Sequence, residues 1–197
     1  FEDLSVQTVS VRAEYAQSLK DAGYAVQAVE GATGMIQVLG TAVAEVNGVQ
    51  YATLSAAFAA VTDDNQTVTI LKDVTEELTG ACLRGNITTE NDAKVTITLT
   101  NSGWVACPYT FVLGANVTLK CPALFYYAGG AQINGTLIVD AYYQRYAGTK
   151  LTINEPGSMT VTTETFILRY TDGDPNAGIY INGDNNDETI GLKLAVA

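Results

Sequence analysis

The stretch from residue 92 to residue 181 repeats a short pattern of hydrophobic and polar positions. Each copy has an apolar residue, a mostly polar residue and a second apolar residue, the alternation of a β-strand with one buried face. Small residues and turn formers precede each copy, which predicts a turn before every strand. Successive copies begin 22, 20, 22 and 20 residues apart, and the two apolar columns are Val95, Val117, Leu137, Met159 and Ile179, and Ile97, Leu119, Val139, Val161 and Ile181.

A repeat of this length predicts an array in which each copy buries its apolar face against its neighbours. Because the copies are strand-like and rich in Val and Thr, they predict an all-β fold, a right-handed parallel β-helix of about 20–22 residues per coil. A β-sandwich also has alternating strands, but it does not require turn residues to recur in register. We expect a second strand per coil at residues 109–112, 124–127 and 166–168, and a stacked column at Trp104, Tyr126, Tyr146 and Leu168.

Residues 1–42 do not show the repeat and form a separate N-terminal segment, whereas residues 43–197 form the β-helix domain. In the N-terminal segment, Ser10 is a candidate cap for a short helix that ends before Gly23. Two strands are predicted after that helix, at residues 24–29 and 35–39.

The β-helix domain opens with signals for a hairpin and a helix. Asn47-Gly48 is a hairpin turn signal, and Thr53 is a good N-cap. The helix after Thr53 has an apolar face that can cover the open end of the β-helix, where strand edges would otherwise be exposed. That face consists of Leu54, Ala57, Phe58 and Val61.

The same opening carries a family resemblance. The runs Asn47-Gly48-Val49-Gln50-Tyr51-Ala52-Thr53-Leu54 and Thr67-Val68-Thr69-Ile70-Leu71-Lys72-Asp73-Val74 resemble the start of the pectin-lyase-like β-helix repeats in large surface proteins of gut and other anaerobic bacteria. Residues 13–40 resemble the tail that closes a preceding unit of this kind. The resemblance implies a cell-surface or extracellular protein of the adhesin type, and its motif is not specific for an activity.

Composition narrows the classes of partner. Lys and Arg number 10 against 21 Asp and Glu, so the net charge is −11. This charge argues against nucleic acid and against an anionic membrane surface, since both require clustered Lys and Arg. The sequence has no run of eighteen apolar residues, so membrane insertion is not expected. The chain begins at Phe1, which indicates either processing or a fragment.

The three cysteines, Cys82, Cys107 and Cys121, fit no zinc motif. Their count leaves three alternatives open: one disulfide with a free thiol, three buried thiols, or a bond between subunits. Cys121 lies four residues after Val117 and shares its inward parity, which favours a buried thiol at this position.

Catalysis is not expected. The sequence has no His, which excludes Ser-His-Asp and Cys-His catalysis and His-ligated metals. A β-helix glycosidase needs paired carboxylates on neighbouring coils, and a lyase needs an Arg beside a carboxylate cluster that holds calcium. The candidate residues are dispersed along the coils: Glu90, Asp92, Asp140, Glu155 and Glu164 among the acids, and Arg84, Arg145 and Arg169.

Calcium is the only cofactor with a sequence signal. Asp172, Asp174 and Asn176 alternate like the start of a calcium loop, but Ala177 and Gly183 break the EF-hand pattern. Turn formation on solvated loops explains these residues better.

Two further sets of residues are candidate sites. Glycosylation sequons begin at Asn65, Asn86, Asn116 and Asn134, mostly at turns where Asn is favoured anyway. An aromatic face can stack on sugars or form a subunit interface, although half of its members can instead point inward. The candidates for this face are Trp104, Tyr126, Tyr127, Tyr142, Tyr143 and Tyr146.

The sequence therefore predicts a non-catalytic extracellular module that acts as a rigid structural or adhesive scaffold. Its expected partners are other copies or further repeats of the same protein, and glycans or a host surface. An alternative is a self-assembling subunit of an extracellular filament, sheath or envelope layer, joined through open β-helix ends. A carbohydrate-active enzyme is the least favoured of the three classes.

Overall fold

A small antiparallel sheet precedes a parallel β-solenoid, and the predicted all-β β-helix fold is confirmed. The computed structural model describes residues 9–63, 65–107, 110–126, 130–144, 150–163, 166–168, 178–182 and 191–194. The helices are α1 (Ala16–Asp21), which follows a 3-10 turn at Ala13–Tyr15, and α2 (Leu54–Ala59). The strands are β1 (Val9–Arg12), β2 (Tyr24–Ala28), β3 (Met35–Thr41), β4 (Ala44–Val46), β5 (Val49–Tyr51), β6 (Thr67–Ile70), β7 (Val74–Glu76), β8 (Asn86–Thr89), β9 (Val95–Leu99), β10 (Trp104–Cys107), β11 (Phe111–Leu113), β12 (Val117–Tyr126), β13 (Gly130–Ile133), β14 (Thr136–Gln144), β15 (Lys150–Asn154), β16 (Ser158–Val161), β17 (Phe166–Leu168), β18 (Gly178–Asn182) and β19 (Gly191–Leu194).

The solenoid has three faces of parallel strands. The first face stacks β6, β8, β11, β13, β15 and β18, and the second stacks β7, β9, β12, β14, β16 and β19. The strands β12 and β14 are long enough to continue into a third face, where they pair with β10 and β17. One inward column of the first face, with steps of 19, 26, 20 and 20 residues, is Val68, Ile87, Leu113, Ile133 and Ile153. The backbone of Ile181 continues the same register after a further 28 residues.

Two parts of the predicted register are wrong. Leu137 pairs with Leu119 and not with Val117, which is a shift of two residues. Because successive strand residues alternate between faces, a shift of two keeps every side chain on its predicted side. The residues Ile179 and Ile181 belong to the first face, where β18 pairs with β15, so the predicted columns joined two different faces.

The predicted second strands do not all belong to one face, and the predicted stacked column is not in register. The pairing places β11 in the first face, whereas residues 124–126 are the continuation of β12 on the third face. Trp104 is in register with Ala123, and Cys107 is in register with Tyr126. Tyr126 is in turn in register with Gln144, which pairs with Leu168. Tyr146 lies outside the described residues.

One hydrophobic core runs along the solenoid, and its corner between the first and second faces depends on close backbone contact. The core cluster extends from Val43 to Val161. A Cβ atom at Gly135 would lie closer than 3.0 Å to the carbonyl oxygens of Gly114 and Val117. One at Gly157 would meet the carbonyl oxygens of Ile133 and Asn154 in the same way. The two glycines of the predicted small-residue column therefore have a steric cause: at Gly135 and Gly157 the neighbouring carbonyl oxygens leave no room for a side chain.

Side-chain amides join neighbouring coils where the backbone cannot. The amide of Asn101, which is buried, donates to the Leu78 carbonyl at 3.1 Å and accepts from the Leu78 N–H at 3.1 Å. At the glycine corner, Asn154 donates to the Asn134 Oδ1 at 2.8 Å. These bonds satisfy polar groups that would otherwise be buried without partners, and they tie each coil to the next.

The N-terminal end of the solenoid is closed by the predicted hairpin. Asn47 and Gly48 have φ values of 52° and 76°, the positive values that a type I′ turn requires. Strand β4 pairs antiparallel with both β5 and β6, so the first parallel strand is not an open edge. Helix α2 packs beside this hairpin, and the predicted cap is confirmed, because the Thr53 hydroxyl accepts from the Ala56 N–H at 3.1 Å.

A carboxylate from the first coil also holds the start of α2. Glu76 accepts from the N–H groups of Leu54 and Ser55 at 2.7 and 2.9 Å, and from the Ser55 hydroxyl at 2.5 Å. The Ser55 hydroxyl oxygen accepts in turn from the Thr79 N–H at 2.9 Å. The carboxylate therefore satisfies helix N–H groups that have no partner within the helix, and it fixes α2 to the edge strand β7.

The N-terminal segment forms its own sheet, in the order β1-β3-β2. The predicted strands at residues 24–29 and 35–39 are confirmed as β2 and β3. Ser10 is not a helix cap, because it lies in β1 opposite Gln37. Helix α1 begins only at Ala16, and it packs on β2 rather than covering the solenoid.

The cysteines are mostly core residues. Cys107 and Cys121 are buried, Cys82 is partly exposed, and none of the three forms a disulfide bond. The structure therefore does not contain the disulfide that one of the three alternatives predicted. Burial raises the pKa of the Cys121 thiol to about 12, so this group stays protonated, and hence unreactive, at neutral and mildly alkaline pH.

We expect Gly135→Ala to lower the free energy of unfolding by about 1–3 kcal/mol, because the added methyl overlaps two carbonyl oxygens. Gly103→Ala is the control, since a Cβ atom there meets nothing within 4 Å. Denaturant unfolding measures both variants. Equal stability of the two variants would contradict the steric account of the corner.

Glu76→Ala should also destabilise the protein, by about 1–3 kcal/mol, because two N–H groups and a hydroxyl lose a charged acceptor. Glu77→Ala removes the same charge from an exposed neighbouring position and should have little effect. Thermal unfolding of the two variants separates the specific contact from the change in net charge. A similar loss in both would assign the effect to charge alone.

In the native protein at pH 8, a thiol reagent such as DTNB should modify Cys82 rapidly and the other two cysteines only on unfolding. The reason is that burial excludes the reagent from Cys107 and Cys121, and the raised pKa keeps Cys121 protonated. The measurement is the amplitude of the fast phase, which should disappear in Cys82→Ser. A fast phase that survives this substitution would show that a core thiol is accessible.

Candidate binding surface

The third face of the solenoid places one row of side chains in the core and the next row in solvent. Its inward row is Val105, Leu124, Tyr142 and Phe166, in register from strand to strand. Tyr142 is only 1% exposed, and its ring stacks on Phe166 with centroids 5.5 Å apart and an interplanar angle of 18°. The prediction that Tyr142 belongs to an exposed aromatic face is therefore wrong.

The outward side chains of the same strands form a surface that we call the outer patch. Trp104 is 45% exposed and Ile167 is 44% exposed, whereas Tyr143 is partly exposed. The smaller members, Ala106, Ala123 and Ala141, are all partly exposed. Among the described side chains, the patch thus has three large residues and three alanines, and none of the six is charged. Phe125, which is in register between Ala106 and Tyr143, is described only as a backbone position in β12.

Trp104 and Tyr143 contact each other across the outer patch. Their ring centroids are 6.3 Å apart and their planes are at 73°, which is the edge-to-face geometry that aromatic pairs favour. The register explains how the two rings meet, since Trp104 is opposite Ala123, and Ala123 is opposite Ala141 on the strand of Tyr143. Because Ala123 and Ala141 have small side chains, the indole can extend over them toward the tyrosine two coils away.

The side chains of the other predicted aromatic residues lie outside the described part of the structure. Tyr127 and Tyr146 lie outside the described residues, and Tyr126 is described only as a backbone position in β12. Sequence reasoning missed Ile167 and the alanines, because it searched for aromatic residues alone. The alternation along β10, β14 and β17 is the signal that would have found them.

Cys82 is aligned with the outer patch. It forms an isolated parallel bridge with Ala106, and that register continues through Phe125 and Tyr143 to Ile167. The thiol has a 3.8 Å contact with the Leu83 carbonyl. The alternative of a bond between subunits therefore concerns Cys82, the one partly exposed cysteine of the three.

The sequon asparagines are engaged at the coil turns. The side-chain amide of Asn65 donates to Asp63 at 3.1 Å, that of Asn86 donates to the Asn65 carbonyl at 3.4 Å, and that of Asn116 donates to Asp92 at 3.5 Å. Asn134 instead accepts from Asn154. Asn65, Asn116 and Asn134 lie in turns or bends, whereas Asn86 is the first residue of β8. Glycosylation of these residues stays a prediction.

The described part of the chain contains no assembled metal site. The calcium candidates Asp172, Asp174 and Asn176 lie outside the described residues. Among the residues that are described, no group of three or more His, Cys, Asp or Glu side chains is placed to hold a metal ion. The Asp140 carboxylate accepts a hydrogen bond from the Thr162 hydroxyl, and its backbone carbonyl accepts one from the Thr163 hydroxyl. In the same described ranges, no helix has the length and apolar character to cross a membrane.

Sequence and structure comparisons do not identify a family for this chain. Searches against protein-family models, curated proteins and solved structures find no match to the chain. The fold is therefore known from the structure itself, and the function has to be argued from the outer patch and the solenoid that carries it.

Proposed function

We propose that the chain is a non-catalytic, rigid module of an extracellular bacterial surface protein, and that it holds the outer patch as an adhesive contact surface. The observation that carries this proposal is the half-exposed Trp104, fixed edge-to-face against Tyr143 on strands of a packed solenoid. Exposed apolar side chains that are held in one rigid group are typical of interaction sites. The resemblance of residues 43–75 to bacterial surface repeats supports the extracellular setting.

Rigidity follows from the same strands. Each outward residue of the patch is next to an inward residue of the core, such as Val105 beside Trp104 and Tyr142 beside Tyr143, and both inward residues are at most 1% exposed. The patch therefore cannot move without disturbing the core. A binding surface of this kind loses little conformational entropy when it meets a ligand.

The closed N-terminal end favours this proposal over self-assembly through open ends. Strand β4 pairs with β6 in the antiparallel direction, and β5 lies beyond it. A second solenoid that stacked here would have to pair with a hairpin of three-residue strands, which is a short edge. The Glu76 contact with α2 further covers the adjacent edge strand β7.

Light scattering over a concentration range tests the scaffold against self-assembly. We expect a single species of 20.8 kDa whose mass does not change with concentration or with added reductant. Particles that grow with concentration would contradict the scaffold proposal. If they form, Val49→Lys on the exposed edge strand β5 should disperse them when the N-terminal edge is the contact, and reductant should disperse them when Cys82 forms the link.

A further inference from the structure

We infer that the outer patch binds a neutral sugar, with the apolar C–H face of a pyranose ring stacked on Trp104. This inference rests on the proposed adhesive function and names its ligand class. The indole is the largest exposed ring of the patch, and a planar aromatic face offers a sugar ring both dispersion contact and the weak attraction between C–H groups and a π-system. Tyr143 holds the indole in place from the side.

The negative net charge of the protein favours an uncharged ligand over an anionic one. The chain carries a net charge of −11, and none of the six described residues of the patch is charged. An acidic polysaccharide would be repelled by the surrounding field, and a basic peptide would find no carboxylate in the patch to pair with. An uncharged ring with one apolar face meets neither difficulty.

The described residues of the patch extend over four neighbouring strands, β10, β12, β14 and β17. The planes of Trp104 and Tyr143 are nearly perpendicular, so the two rings form a step beside Ala123 and Ala141. Ile167 is in register with Tyr143 on the next coil, and it is 44% exposed. Coils are spaced by about 4.8 Å, so the patch has room for a short oligosaccharide.

A second copy of the chain fits the patch less well. The six described residues of the patch are far fewer than the roughly 20–30 residues that each partner contributes to a standard interface. Two copies would also bring together two bodies of charge −11. Sugar-binding sites, in contrast, are commonly small and depend on one or two aromatic rings.

The intrinsic fluorescence of Trp104 provides a test of sugar binding. Trp104 is the single tryptophan of the chain, so the tryptophan fluorescence of the protein reports on the patch alone. The probes are the uncharged hexasaccharides cellohexaose, xylohexaose, laminarihexaose and mannohexaose, and the acidic hexagalacturonate. We expect at least one uncharged sugar to shift the emission to shorter wavelength and to saturate, because a stacked ring removes water from the indole. Hexagalacturonate should bind at least about tenfold more weakly.

Titration calorimetry with variants identifies the site. Trp104→Ala and Tyr143→Ala should each weaken binding of the responding sugar by about tenfold or more, which corresponds to about 1.4 kcal/mol. Tyr15→Ala is the matched control, since it removes an exposed aromatic ring from the N-terminal segment and should leave the affinity unchanged. The thermal midpoint of each variant verifies that it is folded, and Tyr143→Phe should retain binding.

Three results would overturn the sugar inference: no response to any uncharged sugar, equal or tighter binding of hexagalacturonate, or affinity that survives Trp104→Ala. A monomer that binds none of the sugars would leave the scaffold proposal standing. Growth of particles in light scattering would instead overturn the scaffold proposal. The two failures are therefore distinguishable, because the mass of the protein and the emission of Trp104 are measured separately.

Discussion

The structure depends on the parallel hydrogen-bonded ladder between coils. In such a ladder, residues in register point to the same side, so an apolar residue in one coil requires an apolar residue in the coils on either side. The inward column from Val68 through Ile87, Leu113 and Ile133 to Ile153 satisfies this requirement on the first face. The core is consequently continuous, and no coil can bury its apolar side chains without its neighbours.

The ladder also explains which parts of the structure the sequence predicts. Alternation specifies which side of a strand is buried, and Leu137 and Met159 are buried as expected. It does not specify register to better than two residues, nor which face a strand joins, and for these reasons Leu137 and Ile181 were assigned to wrong columns. The Thr53 cap and the Asn47-Gly48 turn were predicted because their causes lie within a few residues.

The outer patch was predicted only in part, because its geometry comes from contacts between distant coils. Trp104 and Tyr143 were both named as candidates, but their contact depends on two intervening alanines that carry no chemical signal of their own. Tyr142 was included wrongly since adjacent tyrosines in a strand must point to opposite sides. The strand that buries Tyr142 is the one that exposes Tyr143, so the core and the surface of this face are specified together.

The closed N-terminal end has a consequence for how the protein folds. The hairpin of β4 and β5, helix α2 and strand β6 are all formed from residues 44–70, so their contacts are local in sequence. They also leave the ribosome before the coils that stack on them, since domains are synthesised from the N-terminus. Parallel strands form slowly because each pairing must close a long loop. A preformed hairpin with β6 exposed on one side would serve as a template for that pairing, so that the solenoid lengthens one coil at a time in the direction of synthesis.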